Sequence, residues 1–159
     1  MRLWTMAVAG LGGAALALSL SALTANAQES DWEEKPYIIE DGKVDYGTYN
    51  GYRRYHNTCH VCHGPDALGS SFAPSLKDSL KTMSYTDFLE VVTNGRQAKR
   101  SGNQDSVMPS FAENGDVMLY IDHIYAYLKA RSDDAVGRGR PERLPPEEDV
   151  VFQEWKESQ

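Results

Sequence analysis

Apolar side chains recur at helical spacing in three stretches of the chain. In the last of them, residues 115–131, apolar positions follow one another at intervals of three and four, as on one face of an amphipathic helix. In the first, residues 46–59, Gly51, Tyr55 and the residue at 59 fall on one stripe at steps of four. A third helix is predicted between them, at Tyr85–Asn94.

Residues typical of helix ends flank the middle and last of these stretches. Ser84 with Asp87 three positions later resembles a capping box, and Gly95 stands where the middle helix should stop. Asn114 is in position to cap the start of the last helix. The capping residues and the apolar periodicity therefore predict the same boundaries.

The first 27 residues differ from everything that follows. Arg2 is their only charge, an apolar run occupies residues 6–20, and the stretch closes with small residues at 25–27. A basic start, a short apolar run and an A-x-A site predict a secretory signal peptide cleaved after Ala27, and hence a periplasmic protein. The alternative is a retained membrane anchor, but the run is shorter than the roughly 20 apolar residues that a span needs. No membrane insertion is expected after cleavage.

Composition divides the rest of the chain into three parts. Residues 28–45 form an acidic, loop-like N-terminal arm, and residues 46–132 carry the periodicity of a folded domain. Residues 133–159 are rich in Gly, Pro and charge, which predicts an extended polar tail that ends in a short helix near residues 150–155. A central unit this small buries too little apolar surface to be robust alone, so a bound group is expected to fill its interior.

Length, charge and cysteine content narrow the class of protein. A chain of 159 residues favours one domain, and the helical periodicity makes the predicted fold all-α. The net charge of −7 argues against a nucleic-acid partner, because phosphate contacts need clustered Lys and Arg. Two cysteines are too few for a disulfide-dense scaffold.

The two cysteines stand in a C-x-x-C-H motif at residues 59–63. On a helical turn Cys59, Cys62 and His63 project from one face, so two thiols can meet the vinyl groups of one porphyrin while the imidazole reaches its iron. The motif predicts one covalently bound haem c. A dithiol redox centre is the first alternative. Half of a zinc site is the second, although the chain has no further ligand pair at finger spacing.

A haem iron held by His63 needs a sixth ligand or an open site. After removal of the signal peptide three methionines remain, of which Met83 and Met118 are placed as packing residues next to or within helices. Met108 follows a long polar loop at residues 96–106 and is fixed by Pro109, so we expect its sulfur to bind iron. The alternative is a second imidazole, from His56, His60 or His123.

Other residues are expected to surround the haem. His63 needs a partner for its second ring nitrogen, and a backbone carbonyl of residues 72–76, a loop stiffened by Pro74, is the favoured one. The haem propionates need donors. Arg96 is the best placed, followed by Arg100, and for both the alternative is a solvated surface charge.

The chain resembles class I c-type cytochromes. The resemblance implies a small cytochrome c fold, with three to five helices wrapped around one covalent haem and with extended arms at both ends. It implies His63 and Met108 as axial ligands and the Pro74 carbonyl as the partner of His63. The residues that carry it are Gly51, Tyr55 and the segments 59–64, 73–76, 108–111 and 125–129.

The same resemblance implies how the first and last helices meet. In that family the two helices cross near a glycine and an aromatic residue. Here this places Gly51 and Tyr55 against Ile124 and Tyr127, with Tyr55 in the haem environment.

A narrower resemblance concerns methanol-metabolism-related periplasmic cytochromes. These include the cytochrome cL-like electron acceptors of pyrroloquinoline-quinone (PQQ) alcohol dehydrogenases. The chain is similar to them in four segments, residues 49–59, 72–76, 91–96 and 137–141. The resemblance implies a PQQ-dependent methanol or alcohol dehydrogenase as electron donor, and another cytochrome c or a terminal oxidase as acceptor.

Three other functions stay open at this stage. A general periplasmic electron carrier would serve several respiratory enzymes. A haem ligand-binding or sensor protein would have a labile distal site and no bond from Met108 to iron. A dithiol oxidoreductase would carry no haem. The favoured prediction is an electron-transfer protein without enzymatic activity of its own.

Overall fold

Helices make up about half of the computed structural model, which describes residues 31–99 and 105–159. Two of the three predicted helices are confirmed, one of them with the predicted boundaries. The helices are α1 (Tyr46–Thr58), α2 (His60–His63), α3 (Leu76–Ser79), α4 (Tyr85–Asn94), α5 (Gly115–Met118), α6 (Ile121–Ser132) and α7 (Val150–Glu157).

Two small sheets accompany the helices, which the all-α prediction did not include. In the first, β1 (Ile39–Glu40) pairs antiparallel with β2 (Lys43–Val44), and β2 pairs parallel with β5 (Glu142–Arg143). The second is an antiparallel hairpin of β3 (Arg96–Lys99) and β4 (Asp105–Met108). Within the polar loop predicted at residues 96–106, the described residues 96–99 and 105–106 are therefore paired strands.

Helices α1 and α6 cross at Gly51. A Cβ atom built on Gly51 would lie 1.7 Å from the carbonyl oxygen of His123, so the two backbones touch there and no larger residue fits. One turn further along α1, the fully buried Tyr55 packs on Tyr127 with ring centroids 5.5 Å apart. This is the crossing that the resemblance implied. The main apolar cluster extends from it and includes Tyr55, Leu80, Phe88, Val117, Ile124, Tyr125 and Leu128.

The prediction of one continuous helix over residues 115–131 was wrong. The structure ends α5 at Met118 and begins α6 at Ile121, with Asn114 capping α5 through the backbone N–H of Val117 at 3.2 Å. Between the helices Tyr120 leaves helical geometry (φ −128°, ψ 24°). Its ring lies 3.8 Å from the guanidinium of Arg54, a cation–π contact that stabilises the turned conformation.

The segment after α6 folds back onto the loop that follows the C-x-x-C-H motif. Arg131 is buried and donates to the carbonyl oxygens of Asp66 (3.0 Å) and Val136 (2.6 Å). The carboxylate of Asp66 accepts from Arg138 Nε and from the backbone N–H of Gly139, both at 2.9 Å. Asp66 therefore links residues 136–139 to the loop.

The C-terminal helix packs on the start of α1. Asp149 is completely buried and caps α7 by accepting from Phe152 N at 3.0 Å, and its burial raises the pKa of its carboxyl group. The guanidinium of Arg143 lies over the rings of both Tyr46 and Phe152, at 5.1 and 4.7 Å from their centroids. The short helix predicted near residues 150–155 is present, while the division of the chain into arms and domain stays a prediction.

Replacing Asp66 with asparagine is expected to make the free energy of unfolding vary less with pH in the acid range. The hydrogen bond from Gly139, with the charges of Arg138 and Arg131, holds the pKa of Asp66 below its usual range. Its contribution is therefore present above a pH of about 4 and lost as the pH falls through the lowered folded-state pKa. We expect a loss of about 1–2 kcal/mol at neutral pH, shrinking below a pH of about 4.

The measurement is urea unfolding of the holoprotein between acid and neutral pH. Asp116→Asn is the matched control, because its side chain is 72% exposed in its ion pair with Arg54 and should contribute less than about 0.5 kcal/mol. An equal loss in both variants, or a gap that widens on acidification, would contradict the role given to Asp66.

Candidate haem site

The C-x-x-C-H residues lie where α1 continues into α2. Cys59 keeps helical geometry (φ −82°, ψ −32°), and its N–H donates to Tyr55 O at 2.8 Å. The N–H of His63 in turn donates to Cys59 O at 3.0 Å, which closes one helical turn around the motif. Cys59 is partly buried, Cys62 is exposed, and the two thiols are not joined to each other. This places both thiols and the imidazole on one turn.

The imidazole of His63 is held in the form that binds a metal. Its Nδ1 atom lies 2.9 Å from the carbonyl oxygen of Pro74. A carbonyl only accepts, so Nδ1 donates and Nε2 keeps its lone pair. The side chain is buried, and this burial lowers the pKa of His63, which keeps the ring neutral.

The loop between His63 and Pro74 is fastened to the motif at several points. The hydroxyl of Tyr55 donates to Gly64 O, and the hydroxyl of Ser70 donates to Cys62 O. Gly69 has a positive φ of 82°, and a Cβ atom there would lie 2.6 Å from Ser75 N, so glycine is required for the loop to close. Tyr55, predicted near the haem, contacts the haem-binding turn through this hydroxyl.

Met108 ends β4 and lies against the end of α4. A Cβ atom on Gly95 would lie 2.6 Å from Met108 O, so the absence of a side chain there lets the two segments meet. Beyond Met108, the N–H of Phe111 donates to Val92 O at 3.0 Å, and the hydroxyl of Ser110 donates to Thr93 O. The Met108 side chain is half-buried against the main apolar cluster.

The hairpin places Arg96 beside Met108. The two residues are cross-strand partners in the β3–β4 pair, and the Arg96 side chain is exposed. Arg96 also lines an open groove of about 510 Å³ together with Met83, Asp87 and Glu90. Arg100, the other predicted propionate donor, lies outside the described residues.

The residues present fit a haem group. They supply two free thiols one turn apart, a neutral imidazole with an unprotonated Nε2, and a thioether sulfur on a separate segment. The hydroxyl of Ser106 donates to Phe72 O at 2.7 Å, which joins the Met108 hairpin to the loop that holds His63. Near this junction Phe72 and Val107 expose apolar side chains, as expected around a large apolar group.

The alternatives from the sequence fit less well. Burial, with a smaller effect of Cys62, raises the pKa of the Cys59 thiol to about 12, whereas a dithiol redox centre needs a lowered thiol pKa. Among the described residues no group of three or more His, Cys, Asp and Glu side chains is arranged to hold a metal, as a zinc site would require. His123, one of the candidate second imidazole ligands, lies instead at the α1–α6 crossing, where its Nδ1 is 2.9 Å from Asn50 Nδ2.

A helical turn that carries paired thiols and a neutral imidazole, with a methionine on a separate segment, is typical of single-haem c-type cytochromes. A family model described as "Cytochrome C oxidase, cbb3-type, subunit III" matches residues 48–128, about half of the chain. The chain belongs to this family of c-type cytochromes, whose members carry covalently bound haem c.

Individual relatives agree with this assignment. The chain is 49% identical to cytochrome c-553I of Paracoccus denitrificans over 118 residues, which are 74% of this chain and 52% of the relative. It is 42% identical to cytochrome c-555 of Methylococcus capsulatus over 101 residues, 63% of this chain and 75% of the relative. The chain thus spans about half the length of the first relative.

A solved structure has the same fold. The c-type cytochrome XoxG from Methylobacterium extorquens AM1 matches with a TM-score of 0.60 and 47% sequence identity, over 74% of each chain. The predicted cytochrome c fold is thereby supported, with the small sheets as additions. Within residues 31–99 and 105–159, no helix has the length and apolarity needed to cross a membrane.

Proposed function

We propose that the protein is a periplasmic single-haem electron carrier. In this proposal Cys59 and Cys62 form the two thioether bonds, and His63 and Met108 are the axial ligands. The observation that carries it is the hydrogen bond between His63 Nδ1 and Pro74 O, which leaves a neutral imidazole with its Nε2 free. The bound haem supplies a reversible one-electron change at its iron.

The chain serves this role by holding the two proposed axial ligands in fixed positions. The carbonyl of Pro74 orients His63, and the contact at Gly95 fixes the segment that presents Met108. Because both ligand-bearing segments are fastened to helices, the geometry changes little between oxidation states. No side chain has to gain or lose a proton in the described arrangement. With Met108 as the second axial ligand, no coordination position at the iron would be left for an external ligand.

We further propose that the electron donor is a PQQ-dependent methanol or alcohol dehydrogenase. The support is the resemblance at residues 49–59 and 137–141 to cytochromes of methanol metabolism. The net charge of −7 favours encounter with a basic partner surface, and such steering weakens as salt is added. Another cytochrome c or a terminal oxidase is the proposed acceptor.

Mixing the oxidised holoprotein with the PQQ alcohol dehydrogenase of the same organism and methanol is expected to reduce the haem rapidly. Stopped-flow absorbance gives the rate, which should saturate with cytochrome concentration and fall with ionic strength. The same mixture without methanol is the control. Absence of reduction, in a protein that dithionite still reduces, would favour a general carrier with other donors.

A further inference from the structure

An alanine in a conformation that favours glycine lies in the loop between the C-x-x-C-H motif and Pro74. Ala67 has a φ of 60° and is completely buried. A residue with a Cβ atom rarely adopts this left-handed conformation, and it keeps it only where its surroundings hold it in place. Residues held in this way concentrate at functional sites. The contacts on the two sides of Ala67 therefore indicate what the strained conformation serves.

Arg131, on α6, holds the loop on the side that precedes Ala67. Its side chain is buried, and its Nη2 and Nε atoms both donate to the carbonyl oxygen of Asp66, at 3.0 and 3.3 Å. This carbonyl belongs to the peptide bond between Asp66 and Ala67. Because a guanidinium is a planar fork of donors, the two hydrogen bonds fix the position of that peptide relative to α6.

The carbonyl of Ala67 holds the loop on the other side, next to Pro74. Ala67 O accepts from Lys77 N at 3.0 Å and from the hydroxyl of Ser75 at 3.4 Å. Ser75 follows Pro74 directly, and Pro74 O accepts from His63 Nδ1 at 2.9 Å. The peptide that the guanidinium fixes is thus also bonded to the segment whose carbonyl orients His63.

We propose that Arg131 is a positioning residue for His63. By fixing the peptide before Ala67, it keeps Pro74 O within hydrogen-bond distance of His63 Nδ1, and this hydrogen bond raises the basicity of the imidazole. A more basic imidazole favours ferric iron, so the contact lowers the reduction potential of the haem. The inference rests on the proposed function, in which His63 is an axial ligand.

Attachment of the C-terminal segment is the competing explanation for Arg131. The same guanidinium donates to Val136 O at 2.6 Å, and Arg138 and Gly139 both donate to the carboxylate of Asp66. A residue that only attached this segment would contribute to stability and leave the surroundings of the iron unchanged. A measurement at the haem therefore separates the two explanations.

The test compares Arg131→Lys with the wild-type holoprotein in a spectroelectrochemical titration. Lysine keeps the positive charge but lacks the planar fork, so the variant weakens the contact to Asp66 O without removing a charge. At a fixed ambient potential, we expect the ratio of ferrous to ferric haem to rise about tenfold, which for one electron is a rise of about 59 mV in midpoint potential.

Arg143→Lys is the matched control for this change. Arg143 is also largely buried and also holds C-terminal residues, but it lies against Tyr46 and Phe152 at the start of α1. Its replacement should lower stability and leave the midpoint potential unchanged. An unchanged or lowered potential in Arg131→Lys, or an equal rise in both variants, would overturn the proposal.

Hydrogen exchange in the reduced wild type covers the case of a variant that fails to fold. The protons on His63 Nδ1, Arg131 Nε and Lys77 N should exchange with solvent through one common opening, with equal protection and equal dependence on urea. Exchange at Arg131 Nε that is much faster than at the other two, or that responds differently to urea, would also overturn the proposal.

A failure of the proposed function would show in the wild type itself. The oxidised protein would then lack covalently bound haem, or the band that reports charge transfer from sulfur to ferric iron. If the wild type has both and Arg131→Lys leaves the potential unchanged, the positioning role of Arg131 is wrong and the electron-carrier function stands.

Discussion

Replacing Met108 with alanine is expected to lower the midpoint potential of the haem by on the order of 0.1 V or more. The thioether sulfur favours the ferrous state, and the choice of axial ligand spans potentials of about 0.8 V, so loss of the sulfur has a large effect. The band that reports charge transfer from sulfur to ferric iron should disappear, and the reduced variant should bind carbon monoxide. A spectroelectrochemical titration measures the potential and the band together.

Met83→Ala is the matched control for this change. Met83 is also half-buried against the main apolar cluster, but it precedes α4 and lines the groove beside Arg96. Its replacement should leave the band in place. If Met108→Ala kept the band and the potential while Met83→Ala lost them, the ligand assignment would be wrong. Carbon monoxide binding by the reduced wild type would instead favour a labile distal site and a sensor.

Replacing Gly51 with alanine is expected to destabilise the fold by about 3 kcal/mol or more. The added Cβ would lie 1.7 Å from His123 O, and a backbone atom cannot yield without moving α1 and α6 apart. Helix propensity alone would make the alanine variant more stable by about 1 kcal/mol. A loss of stability would therefore show the close contact between α1 and α6. Urea unfolding of the holoprotein, followed by circular dichroism, gives the free energy.

Gly115→Ala makes the same chemical change where space is available. The nearest atom to a Cβ there is Leu119 Cδ1, at 4.0 Å, an ordinary contact. We expect stability between unchanged and about 1 kcal/mol higher, from the helix propensity of alanine. Comparable stabilities for Gly51→Ala and Gly115→Ala would contradict the close crossing of the two helices.

The helices were predictable where capping residues mark their ends. The middle helix, Tyr85–Asn94, has its predicted bounds because Ser84 accepts from Asp87 N at one end and Gly95 adopts a positive φ at the other. The break before α6 was not predictable from spacing, because the apolar period continues from Val117 to Ile121 across it. The contact between Tyr120 and Arg54 that accompanies the break joins distant parts of the sequence.

The small sheets show the same division between local and distant causes. Asp41 and Gly42 both have positive φ, and an Asp-Gly pair is a known mark of a tight hairpin turn, so β1 and β2 had a recognisable pattern. Strands of only two residues are too short to show the alternation of apolar and polar side chains that would support a strand prediction. Nothing near Val44 indicates its pairing with Arg143, about a hundred residues later.

The candidate haem site also has a part that a local motif predicts and a part that depends on distant contacts. The paired thiols and the imidazole follow from one short motif, which is why the sequence predicts the bound group. The contacts that join the Met108 strand to the rest of the fold come from elsewhere: Gly95 accommodates the backbone of Met108, and Ser106 donates to Phe72 O. Sequence reasoning treated Gly95 only as a helix stop and missed Ser106, since no spacing rule connects positions 34 residues apart.

The pairing of β2 with β5 sets an order of events during biogenesis. It joins residues 43–44 to residues 142–143, so it cannot form until both segments are available, and such long-range contacts form late. The turn with Cys59 and Cys62 lies inside the loop that this pairing closes. Both thiols are therefore accessible for haem attachment before β2 and β5 pair.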